Sequence, residues 1–436
     1  MNKNKARKVW GIMAIGFLLI LPLGCAPRKV IVGSVVKIVG QKGDWTLKVN
    51  GEPFYIKGAG CGEPEGRGGE DYLELAKELG ANAVRTWGTD QGTEHYFDTA
   101  LKYGLMVDAG IWLNSVTDTG VFSCITDDKY MEKKKNEIVE YVNRFKDHPA
   151  LLMWNVGNEA IFFTKDEEER IALSKFLEQM VQLIHQLDAN HPVIYTSSDA
   201  TALPYIKKYV PSLDAFGMNI YGSIRMSHSR WDQTTLNIPY VVTEFGPLGP
   251  WDVKKDANGA SMDQPDQAKA ALYKYMFRNI MDFKGCNLGG FAHHLGETTQ
   301  ESMTWWNLNY KTLKRASFWE LYKIYTGNVP SNLPPRITKF NLSKINGIAP
   351  GETIDIFVEA TDNENDPLNY NFILATAQEG ILKYYVNEEI PAKFISEGTN
   401  VKLIAPEAEG RYRVYVFVKD GKGNVATSNR SIKVGP

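Results

Sequence analysis

From residue 54 to residue 325 the sequence repeats one unit: a short apolar run, a loop, then a stretch whose apolar residues recur at helical spacing. Alternation of this kind makes βα units, and βα units lay their strands in parallel. Eight runs carry the strand pattern, at 54–60, 82–87, 105–113, 151–158, 192–198, 215–221, 240–245 and 288–293. Helical spacing occupies 70–79, 94–102, 129–145, 166–187, 264–282 and 317–325, with Gly80, Gly104 and Asn190 standing where C-caps belong. The connections after the fifth and sixth strands are less regular. Eight such units over this length predict an α/β fold, a (β/α)8 barrel of the TIM type. An open doubly wound sheet needs no eighth strand and usually carries a Gly-rich phosphate loop, and neither a GxGxxG nor a Walker sequence is present.

The barrel is expected to span 37–326, entered through a small hairpin at 37–49. Residues 327–335 (GNVPSNLPP) read as a linker. Beyond them the period changes. Strand patterns at 337–342, 353–360, 370–375, 401–405, 411–419 and 431–434 are separated by turns such as Asp420-Gly421-Lys422-Gly423-Asn424. Short strands at regular spacing predict a small all-β sandwich over 336–436. The segments ATDNENDP (360–367) and VFVKDGKGNVATSN (416–429) resemble Ig-like bacterial surface modules of the cadherin or polycystic-kidney type. Asp362, Glu364 and Asp366 suit either a calcium ion or a solvated turn.

At the other end, Lys3, Lys5, Arg7 and Lys8 precede an apolar stretch over 9–23 that closes Leu21-Pro22-Leu23-Gly24-Cys25. A basic start and a short apolar run make residues 1–25 a signal peptide rather than a membrane span. The Leu-Gly-Cys ending resembles a bacterial lipobox, although Pro22 replaces the usual aliphatic residue. That resemblance implies lipidation of Cys25, and so a secreted protein anchored to the bacterial cell envelope, at the outer membrane or in the periplasm. Cys61, Cys124 and Cys286 remain, an odd number that implies no disulfide framework, though Cys61 and Cys124 fall on loops of one barrel face where they could pair. No CxxC, HExxH or clustered His/Cys spacing points to a metal site. A net charge of −2 offers no excess of cations for nucleic-acid phosphates.

The chemistry of such a barrel lies at the C-terminal ends of its strands. The fourth ends Trp154-Asn155-Val156-Gly157-Asn158-Glu159 and the seventh Val242-Thr243-Glu244-Phe245-Gly246. A carboxylate at the tip of an apolar strand is costly unless paired, hydrogen-bonded or used. Two of them facing one cleft suit a pair in which one acts as acid and then base, and the other as nucleophile.

The segments HPALLMWNVGNEA (148–160) and YVVTEFGPLG (240–249) resemble the acid/base and nucleophile motifs of clan A glycoside hydrolases. They are closest to the family 2 catalytic barrels and the related families 5 and 72, and the resemblance covers about residues 40–326. It implies a retaining β-glycosidase with Glu159 as acid/base and Glu244 as nucleophile. It also implies that Arg85 of NAVRTWG (82–88) holds the nucleophile ionised, that Asn158 bonds the sugar 2-hydroxyl, and that Tyr221 of MNIYG (218–222) orients Glu244. The first-strand segment KGAGCGEPEG (57–66) is similar to that of family 2. The eighth strand departs from the pattern. Where the family has a tryptophan, this chain reads Gly289-Gly290-Phe291-Ala292-His293-His294, and Trp305 and Trp306 follow. His293 or one of these tryptophans is expected in the pocket. Adjacent residues on a strand point to opposite faces, so His293 and His294 are not expected to share a metal. Trp87 and Trp112 suit sugar stacking or plain packing.

The expected reaction is cleavage of a β-linked oligo- or polysaccharide, as by an endo-β-glucanase or β-mannanase, with no cofactor. Residues 82–113 are also similar to glucanosyltransferase-type barrels acting on β-1,3-glucan, so a sugar could replace water as acceptor. The competing reading is a non-catalytic glycan-binding surface lipoprotein; the altered eighth strand favours it and the two intact glutamate motifs oppose it. A third reading makes the C-terminal domain an adhesin module on a barrel scaffold.

Overall fold

The computed structural model describes residues 33–116, 122–198, 201–298, 300–379, 385–396 and 398–436. The signal peptide expected at 1–25 and the lipidation expected at Cys25 lie outside the described residues. Among the described residues no helix is long and apolar enough to cross a membrane.

Strands β1 (Val36–Val39), β2 (Thr46–Val49) and β3 (Glu52–Phe54) form an antiparallel sheet, one strand more than the expected hairpin. The turn between β2 and β3 is Asn50-Gly51, both with positive φ, the conformation a two-residue hairpin demands. Val36 and Leu47 of this sheet pack with Ile56, Ala83, Ile194, Ala215 and Val241, which closes the barrel at its N-terminal end.

Eight parallel strands form the closed barrel: β4 (Ile56–Gly60), β5 (Ala83–Arg85), β6 (Met106–Ile111), β7 (Leu151–Asn158), β8 (Val193–Ser198), β9 (Ala215–Tyr221), β10 (Tyr240–Gly246) and β11 (Asn287–Ala292), with β11 pairing back onto β4. Around them lie α1 (Tyr72–Leu79), α2 (Glu94–Tyr103), α3 (Asp128–Phe145), α4 (Ala160–Phe163), α5 (Glu167–Leu187), α6 (Leu203–Tyr209), α7 (Ile224–Gln233), α8 (Asp266–Asp282) and α9 (Ala316–Thr326). The caps explain the boundaries. Asp71, Thr93 and Asp166 accept from the backbone N–H three residues on, and Gly80 and Gly104 close their helices in the left-handed region. Asn190 does not cap α5: the helix stops at Asp188, whose Oδ1 accepts from the Asn190 N–H. The sequence pattern missed α4, α6 and α7. The first is one turn long, the second has a proline in its first turn, and α7 buries only Ile224, Ser227 and Trp231 of its ten residues.

The segment after β11 carries a ribbon, β12 (Asn309–Tyr310) and β13 (Leu313–Lys314). The C-terminal part is all β. Strands β14 (Arg336–Leu342), β15 (Thr353–Thr361), β16 (Asn369–Thr376), β17 (Gln378–Glu379), β18 (Tyr385–Val386), β19 (Glu389–Ile390), β20 (Lys393–Ile395), β21 (Asn400–Ile404), β22 (Gly410–Lys419) and β23 (Val425–Val434) follow in order. Two four-stranded sheets, β14-β15-β21-β20 and β19-β16-β22-β23, face each other across Ile354, Ile356, Val358 and Leu403 from one and Leu374, Val414, Val416 and Ile432 from the other. The ribbon β17–β18 stands apart. Asp362 and Asp366 converge with Asp420, their oxygens within 4.8 Å of one another, and Glu364 is not part of the group. Amides hold the convergence: Asn332 Nδ2 donates to Asp366 and Asn424 Nδ2 to Asp420.

Barrel and sandwich form one compact unit, Gly33–Pro436. Tyr415 and Phe417 of β22 pack on Met303, Tyr310 and Leu313 of the segment after β11. Cys61, Cys124 and Cys286 are free thiols, so the Cys61–Cys124 pair does not form.

Candidate active site

Both glutamates stand where their strands lose register. Between Asn155 and Asn158, β7 advances three residues while β8 advances two; β10 slips by one against β9 between Val242 and Glu244. Such bulges at a barrel rim re-aim the side chains that follow. Gly157 lies inside the first, at φ +88, and a Cβ there would sit 3.0 Å from the Tyr195 ring, so only glycine suits it. Glu159 itself has φ 58, a left-handed conformation that a residue with a side chain holds only when its surroundings impose it.

Glu244 is buried and held by three donors. Arg85 Nη1 and Trp87 Nε1 each donate to Oε1 at 2.8 Å, and the Tyr221 hydroxyl donates to Oε2 at 2.6 Å. Burial alone raises this carboxyl. The charges of His293 and Arg85, with the Tyr221 and Trp87 hydrogen bonds, outweigh burial and bring it down to about 2. His293 lies 3.9 Å from Oε2, but burial pushes its own pKa down to about 3. It is therefore neutral at pH 7, and Arg85 is the cation that keeps Glu244 ionised. Arg85 is positioned in turn. Its Nη2 donates to Asn158 Oδ1 at 2.8 Å, and its Nε lies 3.7 Å from Asp108 on β6. Asp108 is fully buried, and desolvation lifts it to about 7 against the pull of Arg85 and the Asn155 amide.

Glu159 is treated the opposite way. Burial and then the charge of Glu244 raise its carboxyl, and hydrogen bonds from Ser198 and Asn219 only partly offset this. Asn219 Nδ2 donates to Glu159 Oε1 at 2.7 Å and to Asn158 Oδ1 at 3.1 Å, and Thr243 Oγ1 donates to the Asn219 oxygen. Asn158 thus spends its oxygen on Arg85 and Asn219, and it lines the cleft. Two carboxyls pushed in opposite directions, one towards keeping its proton and one towards the anion, are the arrangement that acid-assisted nucleophilic displacement uses.

The pair lines a cleft of about 640 Å3 with Asn158, Trp87, Trp112, Tyr221 and His293. Trp305 does not reach it. That indole is buried and donates Nε1 to the Leu248 carbonyl, while its neighbour Trp306 lines the cleft, so the tryptophan expected from this segment is Trp306. Trp87 does more than offer a ring face, since its N–H bonds Glu244. His293 and His294 both line the cleft, with ring centroids 4.6 Å apart. The alternation expected of a strand does not apply to them, because β11 ends at Ala292.

The sequence reading missed Asn219, Asp108 and Trp251. Asn219 lies two residues before Tyr221 on β9, so both side chains leave the same face of the strand. Asp108 is a carboxylate inside the apolar run Met106–Ile111, the signal that marked the two glutamates.

Residues 42–248 match the family model described as glycosyl hydrolases family 2, TIM barrel domain. That stretch holds β4 to β10 and thus Arg85, Glu159 and Glu244. The chain is also similar to the β-glucuronidase of Sus scrofa, 28% identical over 185 residues, 40% of this chain and 26% of that one. To β-mannosidase A of Aspergillus aculeatus it is 27% identical over 139 residues, 30% of this chain and 14% of that one. The chain thus spans about a quarter or less of these relatives. Among solved structures, the β-D-glucuronidase of Dictyoglomus thermophilum superposes with a TM-score of 0.53 at 18% identity over 69% of this chain and 54% of that one, a likeness of fold.

Proposed function

We propose that this protein is a retaining β-glycoside hydrolase of the family 2 type, acting on a β-linked polysaccharide such as a β-glucan or β-mannan. The observation that carries the reading is the opposed pair: Glu244 held by Arg85, Trp87 and Tyr221, beside a Glu159 whose carboxyl is pushed up by burial and by the charge of Glu244. In the first step Glu159 gives its proton to the glycosidic oxygen as the bond from that oxygen to the anomeric carbon breaks. A Glu244 oxygen bonds the same carbon, giving a glycosyl ester. Glu159, now anionic, takes a proton from water as the water oxygen attacks that carbon, and the ester bond breaks to free Glu244. A sugar hydroxyl in place of water gives transglycosylation by the same steps.

The cleft wall supports uncharged sugars. Its lining holds Glu63, Glu65 and Glu297, and among the described lining residues Arg67 is the one Lys or Arg. Arg85 behind the wall is committed to Glu244 and Asn158. A uronate carboxylate would have to be held against those glutamates with a single rim cation to offset them. The signal sequence at 1–25 and Cys25 support a lipid-anchored protein of the cell envelope working on polysaccharide outside the cytoplasm.

Reducing-sugar release from β-glucans, β-mannans and β-galactans tests the activity, with Glu244→Gln as control. Release by the wild type that collapses in Glu244→Gln supports the hydrolase. Equal binding of a glycan by both proteins with no release by either turns the reading to a binding protein.

A further inference from the structure

Nine tryptophans lie among the described residues, and two of them are exposed, Trp112 at 44% and Trp251 at 55%. Both line the cleft. Trp112 follows the end of β6, and Trp251 lies in the segment after β10. These are the third and seventh strands of a closed ring of eight, so the segments that carry the two indoles leave the barrel from opposite strands, and Trp251 lies against Tyr221 at the end of the neighbouring β9. The ends of β7 and β10, which carry Glu159 and Glu244, open into the cleft between them.

Leaving a large aromatic ring in water forfeits the gain from burying its apolar surface. Trp251 is nonetheless fixed in its exposed position. Gly249 lies so close beneath the ring that a Cβ there would fall 2.2 Å from Cε2, and Tyr221 meets it edge-on at 5.8 Å. Its segment is pinned by the Ser261 hydroxyl donating to the Pro250 carbonyl and by Trp305 Nε1 donating to the Leu248 carbonyl, each at 3.0 Å. A rigid, solvent-facing indole beside a sugar-cleaving pair matches the C–H face of a pyranose ring, which packs on an aromatic face while its hydroxyls stay wet.

We propose that Trp112 and Trp251 are two sugar-stacking platforms, one on each side of the scissile bond, so that the substrate is a β-glycan chain bound across the cleft and cut internally. This rests on the hydrolase reading for the position of the scissile bond. The cleft volume agrees, since about 640 Å3 holds more than one sugar ring.

The test uses β-1,3-gluco-, β-1,4-gluco- and β-1,4-manno-oligosaccharides of two to six units. Affinity is read on the full-length Glu244→Gln protein by tryptophan fluorescence, and cleavage on the wild type. In at least one series, affinity is expected to rise on the order of tenfold from two to six units, the scale of one or two ring-stacking contacts. Adding Trp251→Ala or Trp112→Ala is expected to remove most of that rise, and Trp251→Phe to restore part of it. Thermal unfolding checks that each variant is folded. Affinity that ignores chain length, or a rise that survives both alanine substitutions, overturns the platforms. A length-dependent, tryptophan-dependent affinity without wild-type cleavage keeps the platforms and overturns the hydrolase; cleavage without length dependence does the reverse.

Discussion

At the barrel mouth, Glu159 and Glu244 face one cleft, with the Arg85 cation bonded to Glu244. At the seam between barrel and sandwich, Asp263 and Asp266 are buried too, but each is paired with a buried cation of its own. Asp263 pairs with Lys269 and accepts from Ser302, Thr304 and Asn429. Asp266 pairs with Arg315 and accepts from the backbone and side chain of Thr427. Lys269, itself buried, is pushed down to about 8 by desolvation, yet Asp263 is held below the ordinary carboxylate range by that lysine and its neighbours. A carboxylate ion-paired with its own buried cation away from the cleft holds its charge and locks two elements together. Glu159, beside the anion of Glu244, is pushed towards its protonated form instead. Burial is common to both regions, and what separates lock from reagent is whether each carboxyl has a cation of its own and whether it faces the cleft.

Four substitutions break or sharpen that contrast. The largest effect is expected from Glu244→Gln, which should lower kcat on the order of 10^4-fold or more while the fold survives, because an amide replaces a buried charge without changing its volume. Initial rates and calorimetry on the same preparation read both. Asp266→Ala should do the reverse. It strands the buried Arg315 guanidinium, so unfolding free energy should fall by about 3–5 kcal/mol in denaturant titration, while kcat of the protein that remains folded falls far less. Glu159→Ala should cost on the order of 10^2–10^3-fold with alkyl or sugar leaving groups and little with dinitrophenyl ones, which need no proton. Its pH profile gives the sign. The acid must be protonated, and its pKa is raised, so wild-type activity falls as pH rises through that pKa, and this basic limb should vanish in Glu159→Ala.

The smallest effect is a slope. Asp108 has a folded pKa of about 7 and an ordinary unfolded one near 3.8. Between those values the unfolded chain binds fewer protons than the folded one, so this group's contribution to stability falls as pH rises from about 4 to about 7. Asp108→Asn should flatten that part of the stability–pH curve, measured by urea unfolding across the window.

Much of the barrel was legible because each βα unit buries one face of a strand and one face of a helix, and both periods survive in the sequence. The short α6 and α7 were not, because Pro204 reads as a turn and Trp231 is nearly alone in anchoring its helix. Glu159 and Glu244 could be read from charges placed at the ends of apolar strands. Asn219 and Asp108 act through other side chains, and their partners Asn158 and Arg85 become neighbours only when the barrel closes. Trp305 and Trp306 illustrate the same limit. One faces the Leu248 carbonyl and the other the cleft, and the path of an irregular segment pinned by Lys269, Arg315 and Tyr415 decides which.

The central claim is that Glu244 bonds the sugar. Incubation with a 2-deoxy-2-fluoro-β-glycosyl fluoride of the sugar that the protein cleaves, followed by mass spectrometry of the intact chain and its peptides, tests it directly. The account predicts a stable adduct of one fluoro-sugar on the peptide holding Glu244 and none on the Glu244→Gln protein. An adduct on Glu159, or turnover of the natural substrate with inverted anomeric configuration and no adduct at all, would contradict it.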